Sequence, residues 1–89
     1  MTEDRTSRIR SYLERAFQPD HLDIVDDSRS HAGHQHDGGG HFFVTIRSGQ
    51  FEGRSTVERH RMVYGALKEM MPDHIHALGI KALSPGESA

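Results

Sequence analysis

The sequence predicts a single domain of the α/β (α+β) class. Three strands form a mixed sheet covered by helices on one face, in the order helix, strand, strand, helix, strand. Three observations carry that prediction. Apolar residues recur at helical spacing in two separate stretches. Residues 41–47 alternate as a half-buried strand does, with Phe42, Val44 and Ile46 on one face and His41, Phe43, Thr45 and Arg47 on the other. The second set is half polar, so only one face of the sheet should be covered. The length, 89 residues, suits one domain with a small core that buries roughly 60–65% of the unfolded surface.

The first helix is expected over residues 2–17. Thr2 can cap it, Glu3 and Asp4 suit the positive end of its dipole, and Asp4 with Arg8 makes an i,i+4 pair in the favourable order. Ile9, Leu13, Ala16 and Phe17 form its apolar stripe. Pro19 disfavours helix at Gln18 and ends the element. The first strand covers 21–26, with Leu22 and Ile24 pointing one way, and the second covers 41–47. Ser48 and Gly49 turn the chain. Ser55 and Glu58 make an S-x-x-E capping box that starts the second helix. Val63, Ala66, Leu67 and Met70 form its buried stripe, Tyr64 and Met71 flank it, and Pro72 closes it; 56–61 reads as a separate short turn before the main helix. The last strand is expected over 75–83. Ser84-Pro85-Gly86-Glu87 has the cap residue and proline of a helix start. The domain spans 1–89, with its core at 7–85 and a short tail at 86–89.

Composition narrows the function. Only 34% of the residues are apolar, but they are clustered. Cysteine is absent, which excludes disulfides, thiol catalysis and a zinc ribbon, and means that no thiolate ligand comes from this chain. Eleven basic against thirteen acidic residues give a net charge of −2, which argues against strong nonspecific nucleic-acid binding. There is no run long enough to span a membrane, and polar residues follow Met1 where a secretory signal would be apolar, so a cytoplasmic protein is expected.

The most unusual stretch is 27–41, DSRSHAGHQHDGGGH. It holds four of the eight histidines, His31, His34, His36 and His41, and ends in Gly38, Gly39 and Gly40, which can turn the chain sharply into the second strand. Structureless loops longer than ~12 residues are usually functional or disordered. Imidazole is a good ligand for iron, copper, nickel and zinc. Read by itself, the loop is as consistent with a solvated, His-rich connection as with metal ligation. Topology adds one point. The long loop lets the first two strands pair antiparallel, and the strand–helix–strand unit favours a parallel second pair with a right-handed crossover. If the second and third strands are neighbours, they start at the same end of the sheet. His76 would then approach the loop histidines.

A set of motifs points further. These are Asp27-Ser28 with the His31 loop, the Gly40-His41-Phe42 strand entry, Phe51-Glu52-Gly53, Ser55, Arg59-His60-Arg61 with Val63-Tyr64, and His76-Ala77-Leu78. Together they resemble the BolA family over about 7–85. The resemblance implies a fold similar to a class II KH domain, and an interaction module rather than an enzyme. BolA-like proteins pair with monothiol glutaredoxins as heterodimers and share a bridging 2Fe–2S cluster. The glutaredoxin contributes a cysteine and the thiol of glutathione. The BolA side contributes a Cys or His from the loop and the His of the His-Ala-Leu strand. Here those positions are His31 and His76. Such a partly histidine-ligated cluster is Rieske-like, with a raised potential. Two imidazoles without a thiol do not hold it alone, so none is expected on the isolated chain. Some members are described as DNA-binding regulators linked to stress and cell shape. Many relatives continue beyond the point matching Ala89 with a C-terminal helix or tail, and functions residing there are not expected of this stretch.

The other candidates divide as follows. His34 and His36 match no family position; His34, three residues from His31, is an accessory ligand at most. His41 and His60 match the pattern but are expected to be structural, and His21 and His74 carry no signal. Arg54, Arg59, His60 and Arg61 form the densest basic cluster, a nucleic-acid or partner surface if it is not simply a solvated helix start with local pairing to Glu58. The G-x-x-G tetrapeptide with which KH domains grip a nucleic-acid backbone does not occur between Ser55 and Met71, so DNA is the second reading. No nucleophile–base–orienter set stands out, so an enzyme is not expected. The sequence leaves open whether the isolated chain forms a homodimer.

Overall fold

The computed structural model describes residues 4–26, 40–71 and 75–87, the side chain of His76 excepted. The elements are α1 (Arg5–Phe17), β1 (His21–Asp26), β2 (Gly40–Arg47), a 3-10 turn (Gly49–Phe51), α2 (Thr56–Ala66), a second 3-10 turn (Lys68–Met70) and β3 (Ile75–Leu83). The sheet order is β1-β2-β3. β1 pairs antiparallel with β2 from His21↔Arg47 to Asp26↔Phe42. β3 pairs parallel with β2 from Gly40↔Ile75 to Arg47↔Leu83. The expected mixed, three-stranded α+β architecture is the observed one.

α1 starts later than expected. Asp4 is its N-cap, and its carboxylate accepts the Ser7 N–H at 2.8 Å; Thr2 lies outside the described residues. That bond holds the Asp4 carboxyl below the usual carboxylate range. The helix ends at Gln18, in the left-handed region with φ 43°, immediately before Pro19. Ile9, Leu13 and Phe17 are buried as expected, but Ala16 is exposed. The stripe turns the other way around the helix, where Tyr12 packs against the core and its hydroxyl donates to Glu69 at 3.2 Å.

α2 carries both halves of the capping box. Glu58 N–H donates to Ser55 Oγ at 3.1 Å, and Ser55 N–H donates to Glu58 Oε1 at 2.9 Å. The cap makes Thr56 the first residue of one continuous helix, so 56–61 is not a separate turn. The interruption lies at the other end. Leu67 N–H is shared between the carbonyls of Val63 and Tyr64, and the chain tightens into the 3-10 turn at Lys68–Met70. Residues three apart eclipse in 3-10 geometry, which keeps both Leu67 and Met70 in the core. Pro72 lies outside the described residues.

The core is built from Ile9, Leu13 and Phe17 of α1, Phe42, Val44 and Ile46 of β2, and Val63, Leu67, Met70, Phe51 and Ile75. Phe51 has no periodic neighbours to announce it. The capped turn after Ser48 swings it inward, and its ring meets that of Phe17 at a centroid distance of 5.0 Å.

Candidate functional site

Parallel pairing sets the starts of β2 and β3 side by side, because Gly40 is the partner of Ile75. β1 runs the other way, so its last residue, Asp26, lies opposite Phe42 at the same end. Residues 27–39 therefore leave and re-enter the sheet at the end where β3 begins, which is where His76 stands. The register there is irregular. Gly40 pairs with Ile75 but His41 pairs with Ala77, so His76 is an extra residue in β3 with no partner of its own on β2. Strict alternation along β3 does not carry across this shift. Ile75 is fully buried in the same core against which Leu78 and Ile80 pack, and residues 75 and 78 cannot share a face under strict alternation. The backbone beneath His76 is held by Ile75 on one side and by Leu78 beyond the bulge.

His31, His34 and His36 lie outside the described residues, as does His74. His41 is half-buried at the start of β2 and takes part in a polar interaction. His60 is half-buried on α2, and His21 is exposed at the far end of the sheet. Among the described residues no group of three or more His, Cys, Asp or Glu is placed to hold a metal ion. The chain has no cysteine, so it supplies no thiolate to any site.

The basic cluster is split by its surroundings. Arg54 and Arg61 are exposed. Arg59 is not a free cation: its side chain is only 12% exposed. Its guanidinium donates to the Arg54 carbonyl at 3.0 Å, the Ala82 carbonyl at 2.9 Å and the Glu87 carboxylate at 2.7 Å. Glu87 Oε1 also accepts the Ser84 N–H at 2.8 Å. The Arg59 hydrogen bond, followed by that from Ser84, holds the Glu87 carboxyl below its usual value. Glu58 accepts the Ser55 N–H, which is the local role of its carboxylate. Tyr64 adds a second tie from α2 to the edge strand, its hydroxyl donating to the Leu78 carbonyl at 3.1 Å. The sequence signal for the Glu87 contact is the S-P-G-E pattern, which makes one half of a capping box.

A helix-covered three-stranded mixed sheet in this order, with a long connection between its first two strands, defines the class as a small α+β domain with KH-like element order. Its family follows from direct comparison. The model of the BolA-like protein family matches residues 13–87. The chain is 43% identical over 91 residues to the chloroplastic protein BOLA1 of Arabidopsis thaliana, covering 97% of this chain and 57% of that one. It is 40% identical over 76 residues to the DNA-binding transcriptional regulator BolA of Escherichia coli, covering 82% of this chain and 69% of that protein. The solved structure of BolA1 from Arabidopsis thaliana superposes with a TM-score of 0.87 at 41% identity, covering 100% of both chains. The BolA domain of SufE1 from the same plant gives 0.85 at 39% identity, covering 99% of this chain and 100% of that one. The chain belongs to the BolA family. It spans little more than half the length of several curated relatives, 57% of the chloroplastic protein and 58% of the bovine BolA-like protein 1. Among the described residues no helix is long and apolar enough to cross a membrane.

Proposed function

We propose that the chain is a non-enzymatic interaction module that pairs with a monothiol glutaredoxin and co-ligates a bridging 2Fe–2S cluster as cargo, in iron–sulfur trafficking or iron and redox signalling. The observation that carries this reading is the unpaired position of His76, at the sheet end on which the histidine-rich connection closes. A residue on a strand whose neighbours are anchored keeps a ligand's geometry better than one on a loop. His31 is the second ligand, and His34 an accessory one. The missing thiolates make the partner necessary: its cysteine and glutathione complete the set. Mixing the protein with a monothiol glutaredoxin, glutathione, iron and sulfide should give a heterodimer with visible-range charge-transfer bands. The protein alone, under the same conditions, should hold no stable cluster. A cluster reconstituted on the isolated chain refutes the shared-ligand reading.

The likeness to the DNA-binding transcriptional regulator of Escherichia coli favours a second reading, a KH-like nucleic-acid-binding regulator. Its contacts would be Arg54, Arg61 and His60, because Arg59 is engaged within the fold. Binding of this kind weakens steeply with salt, and replacing Arg54 and Arg61 should flatten the slope. No binding to duplex or single strands at low salt removes it.

A further inference from the structure

The sheet face opposite the helices has no covering element among the described residues. Its side chains fall into rows set by strand register. One row is Val25, Phe43 and Gly79; the next is Asp23, Thr45 and Lys81. Val25 is 47% exposed and Phe43 44% exposed. The Phe43 ring lies across β3, where a Cβ on Gly79 would meet its Cδ1 at 2.6 Å. The Phe43 ring therefore supplies the apolar surface over β3 in this row, beside Val25 on β1. In the neighbouring row Asp23 and Lys81 are both exposed. They stand two strand spacings apart, about 9.6 Å, too far to pair with each other. Neither makes a hydrogen bond or ion pair among the described residues.

We propose that this face is the contact between two copies of the chain, related by a two-fold axis running along β2. Such an axis lays β1 of one copy over β3 of the other and keeps every row at its own level. Asp23 then meets Lys81 of the second copy, and Lys81 meets its Asp23. Val25 packs on the Phe43 ring that covers Gly79 of the second copy, and its own Phe43 ring receives the partner's Val25 in turn. A two-fold axis across the strands, centred on the charged row, would instead oppose Asp23 to Asp23 and Lys81 to Lys81. A nucleic acid is a poorer occupant, because this row carries one acid for each base. Aligned sheets pack at about −30°, which swings the strand ends apart and keeps only the central rows in register. Arg47, already bonded to Asp20 at 2.9 Å, is carried away from its own counterpart by that angle.

The face is three strands wide, on the order of 300 Å² per copy. That is below the ~800 Å² per partner of a stable complex, so the association is weak and visible only at high concentration. This inference stands apart from the cluster-sharing role and is tested without metal or glutaredoxin.

Sedimentation and amide chemical shifts are followed on the whole chain from about 10 μM to about 1 mM. Wild type should associate as concentration rises, with the moving resonances centred on Val25, Phe43 and Gly79. Asp23→Lys alone sets lysine against Lys81, and Lys81→Asp alone sets aspartate against Asp23. Each should weaken self-association at least tenfold. Mixed together, the two variants should associate again as a heterodimer, because every charged contact is then a Lys–Asp pair. Phe43→Ser should also weaken association, and far-ultraviolet circular dichroism should report all three variants folded. The proposal is overturned by an absence of concentration dependence, by association that ignores both charge variants, or by failure of the mixture to associate. Each of those outcomes leaves this face without a second copy as its occupant.

Discussion

The two ends of the sheet are built differently. At the Arg47 end every element is tied to another. Ser48 Oγ donates to the Phe17 carbonyl at 2.8 Å, Ser48 N–H donates to Leu83, and Gln50 reaches the Ala16 carbonyl at 3.0 Å. Arg47 bonds Asp20, and Arg59 binds the end of β3 to the Ser84–Glu87 segment. At the Gly40 end the ladder itself is irregular, and His76 stands outside the pairing. Hydrogen bonds that close one end against the helices let the other end depart from regular geometry without loss of the fold. Bulges recur beside functional sites because they re-aim a residue where pairing stops. The comparison predicts that substitutions at the Arg47 end act on stability, and those at the Gly40 end act on ligation.

The largest effect should come from Phe51→Ala. It empties a fully buried site against Phe17 and should cost about 3–5 kcal/mol in denaturant unfolding. A cost under about 1 kcal/mol would mean that the ring is not part of the core. Next is a pair of arginines two residues apart. Arg59→Ala leaves the Ala82 carbonyl and the Glu87 carboxylate without their donor and should cost about 1–3 kcal/mol, whereas exposed Arg61→Ala should stay within about 0.5 kcal/mol. Equal effects would erase the distinction between a clamp and a solvated cation.

The smallest effect is a pH dependence. Glu87 has its folded-state carboxyl lowered from an ordinary value of 4.5. Its contribution is therefore complete above that value and is lost as pH falls through the lower, folded-state value. In acid titrations followed by melting temperature, wild type should lose more stability than Glu87→Gln on passing below about pH 4.5. Parallel curves would show that the Arg59 contact adds nothing in solution.

Much of this architecture was legible in the sequence, and most of the misses come from long-range packing. β1 and β3 fall on the residues expected for them, and β2 begins one residue earlier, at Gly40. Ser55 and Glu58 form their box because both halves lie within one turn. Local pattern also favoured Thr2 over Asp4 as a cap and Ala16 over Tyr12 as a core contact. The first was decided by a local cap bond, from Ser7 N–H to Asp4, and the second by tertiary packing, which carries Tyr12 to Glu69. Phe51 has no period to belong to, and Arg59 meets Glu87 across 28 positions, beyond any local rule. The bulge at His76 is a property of two strands together, so neither strand alone encodes a visible sign of it. Of the candidate site, topology alone placed the start of β3, with His76, at the end of the sheet where β1 stops and β2 begins. The resemblance marked His31, which lies outside the described residues.

The central claim is most directly tested by His76→Ala, measured twice. Thermal melting of the variant alone should match wild type, because Ile75 and Leu78 anchor the backbone on either side of it. Visible circular dichroism of the variant mixed with glutaredoxin, glutathione, iron and sulfide should show the shared-cluster bands abolished. His31→Ala should only weaken or shift them, since His34 lies three residues away and can take part of its role. An intact cluster signal in His76→Ala, with loss only in His31→Ala, would contradict the assignment of the ligand to the rigid strand.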